Sequence, residues 1–167
     1  MDISSTTPDW TRETSPRWSW SPSISLLASI RSYQKYKNKG GSISTFLAKY
    51  AILRHRFWSV ITGADIPINS NIGGGLLLPH PNGVVIHPKS IIGVNCLIFQ
   101  QVTIGQTNGG VPTIGGHVDI GAGAKILGNI NIGDHAVIGA NAVVLKDVPA
   151  FATAVGVPAQ ILEKAQK

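Results

Sequence analysis

The sequence predicts a mainly β protein built as a parallel β-helix, and three observations support this. From Ala64 to Val148, a branched apolar residue returns every six positions with two interruptions. A small or β-branched residue tends to stand two positions earlier, and glycine recurs one position later. A period of six fits neither an α-helix nor a single hairpin, but it fits a coil of short strands joined by tight corners. The large apolar residues of the series are Ile66, Ile72, Leu78, Ile86, Ile92, Ile98, Ile104, Ile114, Ile120, Ile126, Ile132, Ile138 and Val144.

The two interruptions of the repeat fall in residues that are typical of loops. Two extra residues are accommodated in the segment 79–83 and four in the segment 106–112, and Pro, Asn and Gly dominate both. A solenoid presents its insertions as surface loops, and such loops commonly hold binding sites. We therefore expect the chemistry of this protein at these two loops.

The chain before the repeat predicts an arm and two helices. The arm is rich in Ser, Thr, Pro and Trp, which predicts a flexible segment that docks locally through its tryptophans. Helical spacing predicts one helix over 23–37 and a second over 42–61, whose Phe46, Tyr50, Leu53, Phe57 and Ile61 form one stripe. Gly63 should end the second helix. The predicted division is a flexible arm (1–22), a helical N-terminal cap (23–62), the β-helix core (63–148), and a C-terminal segment with a short helix (149–167).

Charge is concentrated at the N-terminal side of the chain. Residues 1–61 hold nine of the fourteen Lys and Arg but only three acidic residues, which accounts for the whole net charge of +6. The ordinary interpretation is a solvated helical face, and peripheral membrane contact through the basic N-terminal helices is the functional alternative. We expect no nucleic acid partner.

The sequence contains neither a basic-then-apolar leader nor an apolar run long enough to span a bilayer, so we expect a cytoplasmic protein. Its single cysteine, Cys96, occupies a small interior position of the repeat. A packed, unreactive thiol is the prediction, and a reducing compartment is consistent with it.

Several segments together resemble the serine acetyltransferase branch of the hexapeptide acyltransferases. The resemblance covers about 57–161 and is considerably more specific than the six-residue period. The matching segments are Gly63–Pro67 (GADIP), Pro79–Val85 (PHPNGVV), Gln101–Gly105 (QVTIG), Ile120–Gly128 (IGAGAKILG), Val143–Leu145 (VVL) and Gly156–Ala159 (GVPA).

This resemblance implies a left-handed β-helix with three flat faces and eighteen residues per coil, assembled as a homotrimer. Left-handed coils are an exception to the usual crossover rule, so handedness comes from the resemblance alone. The family carries active sites between neighbouring subunits, uses acetyl-CoA as co-substrate and requires no metal.

The resemblance also implies a catalytic pair, His80 and Asp65, because the family has an aspartate fifteen residues before its catalytic histidine. A hydroxyl is a poor nucleophile at neutral pH, so a base must remove its proton as it attacks the thioester. His80 can do this, while Asp65 would fix the imidazole tautomer and stabilise the imidazolium.

Five positions are candidates for binding acetyl-CoA. Backbone N–H groups around Gly105 could stabilise the oxyanion that forms on the thioester carbonyl. The small residues Ala122 and Gly123 allow the pantetheine arm to approach backbone amides closely. Lys125 and Lys146 could attract the CoA phosphates.

The other histidines divide into two classes. His87 follows the first loop and His117 follows the second, so both are candidate acceptor-binding residues, with an ordinary surface role as the alternative for each. His55 and His135 are expected to be ordinary surface residues.

Departures from the family pattern leave the acceptor open between L-serine and a sugar hydroxyl. Known serine acetyltransferases have a longer helical N-terminal domain, an aspartate where this chain has Pro79, and an Arg-His pair near Val111 and Pro112. Those groups bind the charged ends of serine, whereas a sugar needs no ionic anchors. O-acetylation of serine in cysteine biosynthesis and O-acetylation of exopolysaccharide or capsule sugars therefore both fit.

Two other classes of protein are less favoured. Zinc carbonic anhydrases with hexapeptide repeats use two histidines five residues apart, but the position five after His117 is Ala122. A purely structural β-helix would give no reason for Asp65 and His80 beside an interrupted coil.

Overall fold

The computed structural model describes residues 3–16, 19–107 and 109–162. After a short 3-10 helix at Trp10–Glu13, helix α1 spans Pro22–Tyr36 and helix α2 spans Ser42–Thr62. Both helices lie within one residue of their predicted bounds. Gly63 ends α2 as expected, because its φ of +63° is the left-handed conformation that glycine adopts readily.

The rest of the described chain is a parallel β-solenoid of about five turns with three sheets. Each sheet collects one short strand from successive coils. The first sheet contains β1 (Asn71–Ile72), β3 (Ile91–Ile92), β6 (Thr113–Ile114) and β9 (Asn131–Ile132). The second contains β4 (Leu97–Ile98), β7 (Asp119–Ile120), β10 (Val137–Ile138), β12 (Thr153–Val155) and β13 (Gln160–Leu162). The third contains β2 (Val85–Ile86), β5 (Thr103–Gly105), β8 (Lys125–Leu127) and β11 (Val143–Val144).

Strand register reports the length of each coil directly. Val85 pairs with Thr103, and this pairing spans one regular coil. The coil from Asp65 to its partner Val85 is longer by two positions, and the coil from Thr103 to its partner Lys125 is longer by four. The extra residues of both loops are therefore absorbed at corners, and the strands above and below stay in register.

The interior of the solenoid is the stack predicted from the six-residue period. Every large apolar residue of the series is buried, and so are the small residues beside them, such as Val84, Val102 and Ala124. Cys96 is also fully buried, as predicted, and burial raises the pKa of its thiol to about 11. The alternation of outward and inward positions along each strand thus produces one continuous core.

The open end of the solenoid is covered by α1. Its Leu26, Leu27 and Ile30 are buried in the same core as the first coil. Arg31 donates hydrogen bonds to the carbonyl oxygens of Ile72 and Gly73, both at 2.6 Å, which satisfies backbone acceptors of the first coil.

The described part of the N-terminal arm lies against the solenoid. Asn95 accepts a hydrogen bond from the Asp9 N–H (2.7 Å) and donates to the carbonyl oxygens of Ser4 (2.7 Å) and Thr7 (2.8 Å). Arg12 donates to the carbonyl oxygen of Gly75 at 2.8 Å. The docking is therefore mainly polar, rather than a contact of tryptophans alone.

The predicted short C-terminal helix is not found in the described residues. Instead, β13 pairs antiparallel with β12, so that Thr153 lies opposite Leu162. This strand covers the edge that the last coil would otherwise leave unpaired, and it offers a physical reason for an extended end. The remainder of that predicted helix, 163–167, lies outside the described residues.

Candidate active site

The three sheets meet at three corners, which we number for reference. The first corner joins the first sheet to the second, the second corner joins the second to the third, and the third corner joins the third to the first. The loop 79–83 lies at the second corner, and the loop 106–112 lies at the third. The third sheet therefore lies between the two insertions.

His80 is exposed on the loop 79–83, and this loop is anchored on both sides by backbone hydrogen bonds. The Gly83 N–H donates to the Gly63 carbonyl oxygen at 2.9 Å, and the Gln101 N–H donates to the Asn82 carbonyl oxygen at 2.9 Å. Gly83 has a φ of +68°, which turns the chain back into β2. The histidine is thus presented to solvent by a loop whose C-terminal end is held by the coils before and after it.

Asp65 lies on the outer surface of the third sheet. It pairs with Val85, and the same outward column continues through Thr103, Lys125 and Val143. The Asp65 N–H donates to the Val84 carbonyl oxygen at 2.8 Å, which places its backbone beside the end of the His80 loop.

The structure brings the His80 loop and Asp65 to the same edge of the third sheet, but it does not join their side chains. Among the described residues, the one ion pair is Arg31–Glu13, and no hydrogen bond connects the Asp65 carboxylate to the His80 imidazole. The pairing of the two groups stays a prediction.

The small residues Ala122 and Gly123 lie at the second corner, two coils beyond His80. The Gly123 N–H donates to the Gln100 carbonyl oxygen, and the Ala122 carbonyl oxygen accepts from the Asn141 N–H, both at 2.8 Å. Gly123 has a φ of +74°, and a Cβ there would collide with the Asn141 side chain. A side chain at this position would therefore be strained and would have to displace the Asn141 side chain.

The two candidate lysines have different environments. Lys125 is the first residue of β8, two positions after Gly123. Its Nζ donates a hydrogen bond to the Gln101 carbonyl oxygen at 2.6 Å. Lys146 is exposed at the third corner, after β11. Their backbones thus lie at opposite edges of the third sheet.

His87 and Gly105 lie side by side at the third corner, close to the start of the loop 106–112. The His87 N–H donates to the Ile104 carbonyl oxygen at 2.8 Å, and His87 Nδ1 accepts from the Lys89 N–H at 3.2 Å. Gly105 pairs with Leu127 in the third sheet.

His117 lies at the first corner, apart from the other candidates within one chain. Its Nδ1 is 2.8 Å from Nδ1 of His135, whose ring stacks on Phe151 with centroids 4.7 Å apart. All three residues have positive φ, between 52° and 63°. The sequence did carry a signal for this stack, because His135 follows His117 by one regular coil.

A cavity of about 680 Å³ opens at this histidine stack. It is bounded by Ile3, Ser4 and Ser5 of the arm on one side and by His117 and His135 on the other. The expectation that His135 is an ordinary surface residue is therefore wrong: it is half-buried and joined to His117.

His55 is likewise not an ordinary surface residue. Its Nε2 lies 2.8 Å from the Ile66 carbonyl oxygen and ties α2 to the first coil. Nothing in the helical pattern of the sequence distinguishes this histidine from a solvated one.

Two further findings concern metals and membranes. Within 3–16, 19–107 and 109–162, no group of three or more His, Cys, Asp or Glu side chains is arranged to hold a metal ion. In the same part of the chain, neither helix has the length and apolarity needed to cross a bilayer.

Comparison of the sequence with known proteins finds serine acetyltransferases. The chain is 43% identical over 107 residues to the serine acetyltransferase of Synechococcus elongatus, covering 62% of this chain and 44% of the relative. It is 38% identical over 149 residues to that of Haemophilus influenzae, covering 87% of this chain and 56% of the relative. The chain thus spans about half the length of the curated relatives it matches. No protein-family model matches the sequence.

Solved structures give the same result. A serine acetyltransferase in complex with CoA matches with a TM-score of 0.72 and 38% identity, covering 86% of this chain and 58% of the other. A soybean serine acetyltransferase in complex with serine matches with a TM-score of 0.69 and 38% identity, covering 83% and 56%.

The six-residue repeat and the three-sheet solenoid fit the hexapeptide-repeat superfamily, and the fold is consistent with the predicted left-handed β-helix. In sequence and in fold, the chain is similar to serine acetyltransferases.

Proposed function

We propose that this protein is an acetyl-CoA-dependent O-acetyltransferase that moves an acetyl group directly to a hydroxyl, with L-serine as the first candidate acceptor. The observation that carries the proposal is the anchored loop that exposes His80 beside Asp65, in a chain 38–54% identical to serine acetyltransferases. O-acetylserine would then serve cysteine biosynthesis.

In the proposed reaction, His80 accepts the proton of the acceptor hydroxyl as its oxygen bonds to the thioester carbonyl carbon. The resulting oxyanion is stabilised by backbone N–H groups near Gly105. The C–S bond then breaks, the carbonyl re-forms, and the CoA sulfur leaves with the proton that His80 returns. Asp65 is proposed to act as a positioning residue that holds the imidazole in the tautomer needed for proton transfer.

Acetyl-CoA is proposed to lie along the second corner and the outer surface of the third sheet. Ala122 and Gly123 present a surface without bulk, two coils from His80. Lys125 and Lys146 are proposed to attract the phosphates, and Lys125 would exchange its hydrogen bond to Gln101 for a phosphate oxygen.

The acceptor is proposed to bind over the outer surface of the third sheet, between His80 at the second corner and His87 at the third, and at a subunit boundary of a homotrimer. His87 lies between the two insertions and would contact the acceptor within the same chain. His117 lies at a different corner of its own chain, so it would reach the acceptor of a neighbouring subunit. The homotrimer is therefore part of the proposed site.

A sugar hydroxyl is the second candidate acceptor, and a specific observation favours it. Pro79 is exposed beside His80, and Val111 and Pro112 are apolar, where the family carries ionic groups that hold serine. In a polysaccharide-modifying enzyme, neutral hydroxyl groups would need no such anchors.

The remaining elements are assigned supporting roles. We propose that 23–62 caps the core 63–148, that the described part of the arm 1–22 docks along the side of the core, that the described part of 149–167 covers its far end, and that the protein works in the cytoplasm. Peripheral membrane contact is proposed for the basic helices.

The test is CoA release from acetyl-CoA by the purified chain, measured separately with L-serine and with a panel of sugars and oligosaccharides. Release with serine alone supports the first candidate, and release with a sugar alone supports the second. No release above solvent hydrolysis with any hydroxyl acceptor would refute acetyl transfer and favour a non-catalytic β-helix scaffold.

A further inference from the structure

The outward face of α2 carries a continuous apolar stripe. Its members follow the alternating three- and four-residue spacing that keeps side chains on one face of a helix. Each is between 46% and 82% exposed: Ile43, Phe46, Tyr50, Leu53, Phe57, Val60 and Ile61. An aligned set of seven large apolar side chains is far more than the scattered exposed residues of an ordinary surface.

The stripe is not the face by which α2 packs onto the molecule. The opposite face carries the buried Ala51 and Thr62, and His55 on that side reaches the Ile66 carbonyl oxygen. Beside the stripe, Trp20 is 74% exposed and its ring is 5.6 Å from that of Trp58. Within 3–16, 19–107 and 109–162, the chain therefore leaves this side of α2 largely exposed.

The charges around the stripe have one sign. From 14 to 64 the chain contains eight Lys and Arg and no acidic residue. On α2, the exposed Lys49 and Arg56 project along one flank of the stripe and Arg54 along the other. At the end of α1, Lys35, Lys37 and Lys39 are exposed close to where the stripe begins.

We propose that this face of α2 binds the surface of an anionic lipid bilayer, with the apolar stripe at the acyl boundary and the flanking Lys and Arg on the headgroups. An amphipathic helix with cationic flanks and aromatic residues has the composition of an interfacial helix. Each cation near an anionic surface adds to the attraction, while the long side chains keep their charge in water.

Charge also argues against a second copy as the occupant. A stripe of this spacing would serve as the a and d positions of a coiled coil, which places Lys49 and Arg56 at g and Arg54 at e. Two or more identical helices would then bring positive charges together in either orientation. An anionic bilayer converts the same charges into favourable contacts. The inference rests on the peripheral membrane contact proposed above but not on acetyl transfer, so the two can fail separately.

The experiment is co-sedimentation of the full chain with vesicles of phosphatidylcholine alone and with about 30% phosphatidylglycerol, near physiological salt. We expect binding to the anionic vesicles at least about tenfold tighter than to the neutral ones. Phe46→Ser with Leu53→Ser should weaken binding about tenfold or more, since each serine removes an inserted apolar side chain. The matched control, Leu145→Ser with Leu162→Ser, removes two leucines outside α2 that are each 56% exposed, and it should bind as the native chain does.

Failure of the native chain to bind anionic vesicles would overturn the inference, and so would equal binding by the stripe variant. Light scattering identifies the alternative occupant. If neither protein binds vesicles and the stripe variant forms an assembly of smaller mass than the native protein does, the face is assigned to contact with a second copy. Loss of vesicle binding is independent of CoA release, which is measured in lipid-free solution.

Discussion

Several corners of the solenoid contain a residue with positive φ, and one of these residues, Asn95, also binds the N-terminal arm. Asn95 and Asn141 occupy equivalent corner conformations, with φ of 58° and 56°, but only Asn95 is buried and holds the arm with three hydrogen bonds. Asparagine tolerates this conformation better than most residues with a Cβ. A single residue thus fixes a corner and recruits a segment more than eighty positions away.

We predict that Asn95→Ala destabilises the protein by about 1–3 kcal/mol more than Asn141→Ala. Both variants lose the conformational preference of asparagine, but only Asn95→Ala leaves polar groups of the arm without their partner. Thermal or denaturant unfolding measures the difference, and limited proteolysis should release the arm faster in Asn95→Ala. Equal stability of the two variants would show that the arm contacts add nothing.

Cys96 gives a second prediction at this scale. Because burial raises the pKa of its thiol to about 11, the reactive thiolate is scarce near pH 8. We predict negligible alkylation of the folded protein at pH 8 and rapid alkylation in denaturant, followed by mass spectrometry. Comparable rates in the two conditions would mean that the first corner opens readily.

Among the larger elements, the loop 106–112 is an insertion that the solenoid does not need. Thr107 and Gly110 bond to each other, at 3.1 and 3.0 Å, and the coil containing them is four residues longer than the regular one. Because this loop bonds to itself and the strands stay in register, we expect that its sequence can change without disturbing the packing of the core.

Deleting 107–110 should therefore leave the unfolding temperature within a few degrees of native, while acetyl transfer falls at least about tenfold because the acceptor loses one wall. Acetyl-CoA affinity should fall less than turnover, since Ala122 and Gly123 lie at another corner and only Gly105 and Lys146 lie at this one. Native turnover in the deletion variant would remove this loop from the site, and a collapse in stability would show that the fold depends on it.

The sequence predicted most of these elements because each depends on local chemistry. The buried series, both insertions, both helices and Gly63 follow from periodicity and from glycine and proline placement. By contrast, β13 depends on an unpaired sheet edge, and the role of Asn95 depends on partners distant in sequence. The role of His55 depends on how α2 packs against the first coil. The direction of the α2 stripe also could not be predicted, because periodicity defines a face without saying which way it points.

The proposed site was less predictable from the sequence than the fold, because it depends on contacts between side chains that are not set locally. His80 and Asp65 lie at one edge of the third sheet, as their positions in the repeat allow. Whether their side chains pair depends on rotamers, which the sequence spacing does not determine. His117 was expected near the acceptor, yet the coil geometry carries it to the first corner of its own chain. Only a neighbouring subunit could return it to the site.

At the scale of the whole molecule, the proposed active site therefore depends on assembly of the subunits. We predict that light scattering gives three times the mass of one chain. His117→Ala should lower acetyl transfer in that assembly without reducing the mass. A stable, fully active monomer would contradict a site shared between subunits and would remove His117 from it.

The most direct test of acetyl transfer by this protein is the turnover of His80→Asn compared with that of His87→Asn, at saturating acetyl-CoA and with the acceptor that supports CoA release. Both histidines lie beside the third sheet, and asparagine keeps much of their polarity. We predict that kcat falls about 10²–10⁴-fold for His80→Asn, the range expected for loss of a general base, and that the loss for His87→Asn is much smaller and mainly in acceptor KM. Near-native kcat in a correctly folded His80→Asn variant would contradict the assignment of His80 as the base.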